Sequence, residues 1–132
     1  MFLKKIIILN RKIINNINEI LNPFGINATD WRIFVYLSDK DSSTLSEISN
    51  FYQMDKAITS RISSKLLKLE LIEFTKSNDK REKIISLSTK GKELYFDASI
   101  KISNFEKKLT KNLDIMQKSI FINILDEINK KL

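Results

Sequence analysis

A mainly helical domain with one small β-hairpin is the fold class that the sequence predicts, and three observations predict it. The chain has only 2 Gly and 1 Pro in 132 residues, too few turn formers for an all-β fold. Apolar residues recur at helical spacing through most of its length. Only one stretch, "LIEFTKSNDKREKIISL", carries the period-two alternation of strands, on either side of a charged tip. A chain of 15.4 kDa with 42% hydrophobic and 30% charged residues is of a size to build one core, so residues 1–132 are expected to form a single domain.

Leu3, Ile6, Ile7, Ile13, Ile14, Ile17, Ile20 and Leu21 fall at helical spacing and predict a helix over 2–22, ended by Pro23 and Gly25. Its start, "MFLKKIIIL", has the look of a signal peptide. The apolar run is too short for a secretory core or a span, however, and no small-residue cleavage site follows. An amphipathic helix and a cytoplasmic location are expected instead. A second helix starts near Asn27, which can cap it with Asp30, and carries Trp31, Ile33, Phe34, Val35 and Leu37 as far as the polar run "SDKDSS". Thr44 and Glu47 predict a capping box for a short third helix with Leu45 and Ile48 inward. The fourth runs from about Asp55 to Glu70. At 100° per residue, Ile58, Ile62, Leu66 and Leu69 form its inner stripe, opposite Gln53, Lys56, Ala57, Ser60 and Ser64.

The alternating segments pair Ile72 and Phe74 with Ile85 and Leu87 as an antiparallel hairpin. Ser88 then caps a long helix with Leu94, Tyr95, Ala98, Ile102, Phe105 and Leu109 on one side. A last helix from about Asp114 carries Met116, Ile120, Phe121, Ile124, Leu125, Ile128 and Leu132. Helix-turn-helix followed by hairpin makes residues 27–88 a winged helix-turn-helix lobe. The flanking segments, 2–22 and 89–132, hold more apolar surface than so small a lobe can cover, which predicts dimerisation helices.

The net charge is +7, with a sequence pI near 9.6. Residues 54–92 hold ten basic and five acidic side chains, so +5 of the +7 sits in about a third of the chain. Nucleic acid, an anionic membrane surface and an acidic partner are all compatible with that balance. There is no Cys and no His. A disulfide framework, a thiol redox sensor, the usual zinc sites and a His or Cys general base are thereby excluded. No enzyme, metal, cofactor or membrane partner is expected.

The segments "TDWRIFVYL", "TLSEIS", "DKAITSRISSKLLKLELIE" and "NDKREKIISLSTKGKEL" together resemble the MarR family of bacterial transcriptional regulators over nearly the whole chain. The last is the most specific, with Asp79 and Arg81 at the wing tip, then Leu87, the capping Ser88, Lys90 and Gly91. The resemblance implies a homodimer on pseudo-palindromic double-stranded operators, often modulated by a small-molecule effector. It also implies that Asp79 orients Arg81 by a salt bridge, and that Trp31, Phe34, Tyr36 and Tyr95 lie on elements lining the effector cleft. Packing in a core or dimer interface is the plainer reading of those aromatics. Glu70 stands where the family usually has glycine. A glutamate costs roughly 1 kcal/mol in a left-handed turn, so a different turn is expected, and the SarA-like branch becomes a secondary candidate.

On this reading Gln53, Lys56, Ala57 and Ser60 face base edges in the major groove, with Arg61 and Ser64 near phosphates. Arg81 enters the minor groove, with Lys80 and Lys83 along the backbone. Two rivals stand beside it. One is a winged-helix protein-interaction module for an acidic protein partner. The other is an enzyme built on converging carboxylates.

Overall fold

The computed structural model describes residues 1–75 and 83–132. Helix α1 spans Phe2–Leu21 and passes through a single 3-10 turn, Asn22–Phe24, which holds Pro23. Gly25 then reverses the chain at φ 77°, a conformation that a side chain would strain. Helix α2, Ala28–Lys40, opens on a complete capping box: the Asp30 amide donates to Asn27 Oδ1 at 2.9 Å, and the Asn27 amide to Asp30 Oδ2 at 3.0 Å. The Ala28 amide donates to Asn18 Oδ1 at 2.7 Å, which ties the start of α2 to α1.

A two-residue strand β1, Ser43–Thr44, leads into α3, Leu45–Tyr52, and then α4, Lys56–Lys68. Strands β2, Ile72–Thr75, and β3, Ile84–Leu87, precede α5, Thr89–Thr110, and α6, Ile115–Asn129. The sheet order is β1-β3-β2, antiparallel throughout. Ile72 faces Leu87 and Phe74 faces Ile85, the register that the alternation predicts. Strand β1 leaves no signal in the sequence, since two residues are too few to show a period. Ser43 pairs with Ile85 and Thr44 with Ile84, and only that pairing makes them a strand.

The chain divides into two compact units, Met1–Ser99 and Ile100–Leu132. In the first, Leu21, Ile33, Phe34, Leu37, Ile48, Leu66 and Ile85 are fully buried and form the core. The other end of α1 buries nothing, and Phe2, Leu3, Ile6, Ile7, Ile8 and Leu9 are all exposed. In the second unit no residue of α6 is buried, although its N-terminus has a full capping box between Asp114 and Gln117. Among the described residues no helix is long and apolar enough to cross a membrane.

Three local expectations are corrected. Thr44 Oγ1 does accept from the Glu47 amide, but the Glu47 carboxylate takes the Ser43 hydroxyl at 2.9 Å, so only half of that capping box forms. The inner face of α4 is Thr59, Ile62, Ser63 and Leu66, whereas Ile58 and Leu69 stay 43% and 39% exposed. The helix is turned toward its hydroxyls because Ser49 of α3 donates to Thr59 Oγ1 at 2.8 Å, and that buried pair satisfies both groups. Glu70 keeps the left-handed turn, at φ 61°. The Glu70 amide donates to the Leu67 carbonyl and the Leu71 amide to the Leu66 carbonyl, both at 2.9 Å, which is the Schellman pattern. Two recovered backbone bonds, with Leu66 and Leu71 both buried, offset the strain of a non-glycine residue there.

Candidate nucleic-acid interface

Helix α4 is held at three places along its length. At its start, Asp55 caps it by accepting from the Ala57 amide at 2.8 Å, and the Ser49–Thr59 pair joins it to α3. At the start of its last turn, the Lys65 ammonium donates to Asp30 Oδ2, whose carboxylate is almost wholly buried at the head of α2. At its end, the Schellman turn closes the last carbonyls. A helix fixed in this way can present one face at a defined angle.

That face is Lys56, Ala57, Ser60, Arg61 and Ser64, all exposed. Gln53 is exposed too, but it ends α3 in a left-handed conformation at φ 52°, in the turn before α4 rather than on the helix. Small side chains at Ala57, Ser60 and Ser64 let the backbone approach a partner closely. Lys56 and Arg61 supply cations within the first two turns. Lys83, at the foot of β3, places its ammonium 5.2 Å from the centre of the Phe74 ring, a cation–π contact that fixes it beside β2. Asp79, Lys80 and Arg81, the predicted wing tip, lie outside the described residues.

The four aromatics of the expected effector cleft do not form one group. Trp31 stacks on Tyr95 at 5.1 Å and on Phe34 at 5.9 Å, and Phe34 has no exposed surface. Tyr36 meets Phe51 at 5.3 Å and Tyr52 at 6.4 Å instead. The Arg32 guanidinium lies 5.7 Å from the Tyr52 ring. Burial pushes the Tyr52 phenol above its ordinary pKa; Arg32 works against that, and Asp39 adds to it. Phe51 and Tyr52 join Tyr36 only through the fold. Among the described residues no three carboxylates converge to hold a metal.

In the sequence Asp30 reads only as a cap, and neither Lys65 nor Thr59 stands out. Helical spacing could have warned that Thr59 shares a face with Ile62 and Leu66. Nothing local could have paired residues 30 and 65.

The model of the MarR family matches residues 26–83. The HTH-type transcriptional regulator PapX of Escherichia coli is 31% identical over 126 residues, 93% of this chain and 74% of that protein. A MarR/EmrR family transcriptional regulator from Acinetobacter sp. ADP1 is 32% identical, with a TM-score of 0.86 over 97% of this chain and 92% of its own. A mutant MarR from E. coli complexed with operator DNA shares the fold at 22% identity, with a TM-score of 0.84 over 95% of this chain and 91% of its own. The chain is thus a member of the MarR family, a DNA-binding winged-helix transcriptional regulator and not an enzyme.

Proposed function

We propose that this regulator binds pseudo-palindromic operators as a homodimer, with α4 of each protomer in the major groove and each wing in the minor groove. Lys56, Ala57, Ser60 and the preceding Gln53 read base edges, while Arg61, Ser64 and Lys83 meet phosphates. Arg81 enters the minor groove beside Lys80 and is oriented by Asp79. The observation that carries the reading is the exposed basic and small-residue face of α4 on a helix anchored to both α2 and α3.

Dimerisation is supported by the two apolar surfaces left open, the start of α1 and the whole of α6, neither of which buries a residue. A 15-residue helix with Ile115, Met116, Ile120, Phe121, Ile124 and Leu125 exposed needs a covering surface. A second copy of the chain supplies one.

The test is retention by genomic DNA fragments, followed by titration of the enriched duplex at several salt concentrations. With about six to ten phosphates contacted per dimer, affinity is expected to fall about 10³–10⁵-fold between roughly 50 and 200 mM salt. A nearly flat dependence would point to an acidic protein partner instead.

A further inference from the structure

We propose that Ser88, which caps α5, and Lys90, in its first turn, are positioning residues for α4: they hold its C-terminal end and so set the angle at which it meets DNA. The inference rests on the DNA reading of α4 given above. Its ground is the fate of three consecutive backbone carbonyls just past the helix. The Leu69 carbonyl accepts from the Lys90 ammonium at 3.0 Å. The Glu70 carbonyl accepts from the Ser88 hydroxyl at 2.6 Å, and the Leu71 carbonyl from the Ser88 amide at 3.0 Å.

A helix end in water needs no such partners, because solvent satisfies its last carbonyls. Here one short segment takes all three. Ser88 also accepts from the Gly91 amide at 3.0 Å, so a single hydroxyl caps α5 and holds the turn after α4. The approach is closed to any larger residue, since a Cβ at Gly91 would lie 2.0 Å from the Leu71 carbonyl oxygen. Lys90 adds charge to geometry: a cation at a helix C-terminus complements the helix dipole. The "STKG" run after the wing is therefore explained by what it touches. It is the seat of the end of α4.

A basic residue in a DNA-binding lobe could instead touch phosphate, and the experiment separates the two. It uses the full chain, a duplex that the parent protein selects from a random-sequence library, and a scrambled duplex of equal composition. Lys90→Met and the charge-neutral Ser88→Ala are each expected to weaken the selected duplex about two- to fivefold, the worth of a cation or bond at a helix end. Binding to the scrambled duplex and the salt slope should not change. Lys90→Arg, which can still donate to the Leu69 carbonyl, should restore most of the loss. Amide exchange without DNA should quicken at Glu70 and Leu71 in Lys90→Met by a similar factor.

Equal loss on both duplexes, with a salt slope shallower by about one per protomer, would make Lys90 a phosphate contact and overturn the proposal. Unchanged exchange at Glu70 and Leu71 would overturn it as well. If the parent selects no sequence at all, the DNA reading of α4 fails on its own account, and the exchange measurement alone decides the grip.

Discussion

Removing the charge of Asp30 while keeping its shape tests how α4 is held to α2. The Asp30 side chain is 2% exposed and that of Lys65 is 42% exposed, so the pair has one dry end and one wet end. Asp30 Oδ2 accepts from the Lys65 ammonium and from the Asn27 amide. A hydrogen bond to a charged group contributes about 1.5–3 kcal/mol net. Solvent screening at the lysine end places this one near the lower bound. In Asp30→Asn the amide oxygen at the Oδ2 position can still accept from both the Asn27 amide and the Lys65 ammonium, but the carboxylate charge that strengthens both bonds is gone. That variant is expected to lose about 2 kcal/mol. Lys65→Met strands a buried carboxylate and should lose about as much. In the double variant neither partner's charge is left stranded, so it too should lose about 2 kcal/mol rather than the sum, which leaves a coupling of about 1.5–2 kcal/mol. Urea unfolding of all four proteins at one protein concentration measures this, because association contributes to apparent stability. A coupling below about 0.5 kcal/mol, the range of exposed pairs, would refute the reasoning and leave α4 held by the Ser49–Thr59 pair and its caps alone.

Deleting residues 114–132 should abolish dimerisation or folding, because α6 leaves its apolar side chains exposed; a folded, monodisperse monomer in sedimentation would contradict the dimer. Glu70→Gly should stabilise the protein by about 0.5–1 kcal/mol by relieving a side chain at φ 61°, and a loss in thermal or urea unfolding would mean that Glu70 makes a contact worth more than the strain. On a panel of operator mutants at one salt concentration, Lys56→Ala should relax preference at one or two base pairs by roughly 1–3 kcal/mol. Arg81→Ala should weaken every site, most of all those flanked by A-tracts. Uniform weakening by Lys56→Ala would reassign Lys56 to a phosphate.

The elements whose causes are local could be read from the chain. Asn27 with Asp30 and Asp114 with Gln117 mark their helix starts because a cap needs only residues three apart. Ile72, Phe74, Ile85 and Leu87 fix the hairpin register because a one-residue slip would turn the apolar set outward. The basic face of α4 was legible for a similar reason, since Lys56, Ser60 and Arg61 remain outside once Ile62 and Leu66 are inside. The tertiary structure decided what depends on partners remote in sequence. Strand β1 exists only because Ile84 and Ile85 lie beside Ser43 and Thr44. The rotation of α4 follows from Ser49 meeting Thr59, and its bracing from Asp30 meeting Lys65 across 35 positions. Glu70 could hold a left-handed turn because Leu66, Leu67, Ser88 and Lys90 bond the backbone around it. Periodicity tells which side of a helix is apolar. It does not tell which buried hydroxyl, carboxylate or carbonyl will find its partner, because that partner is brought near only when the chain has already folded.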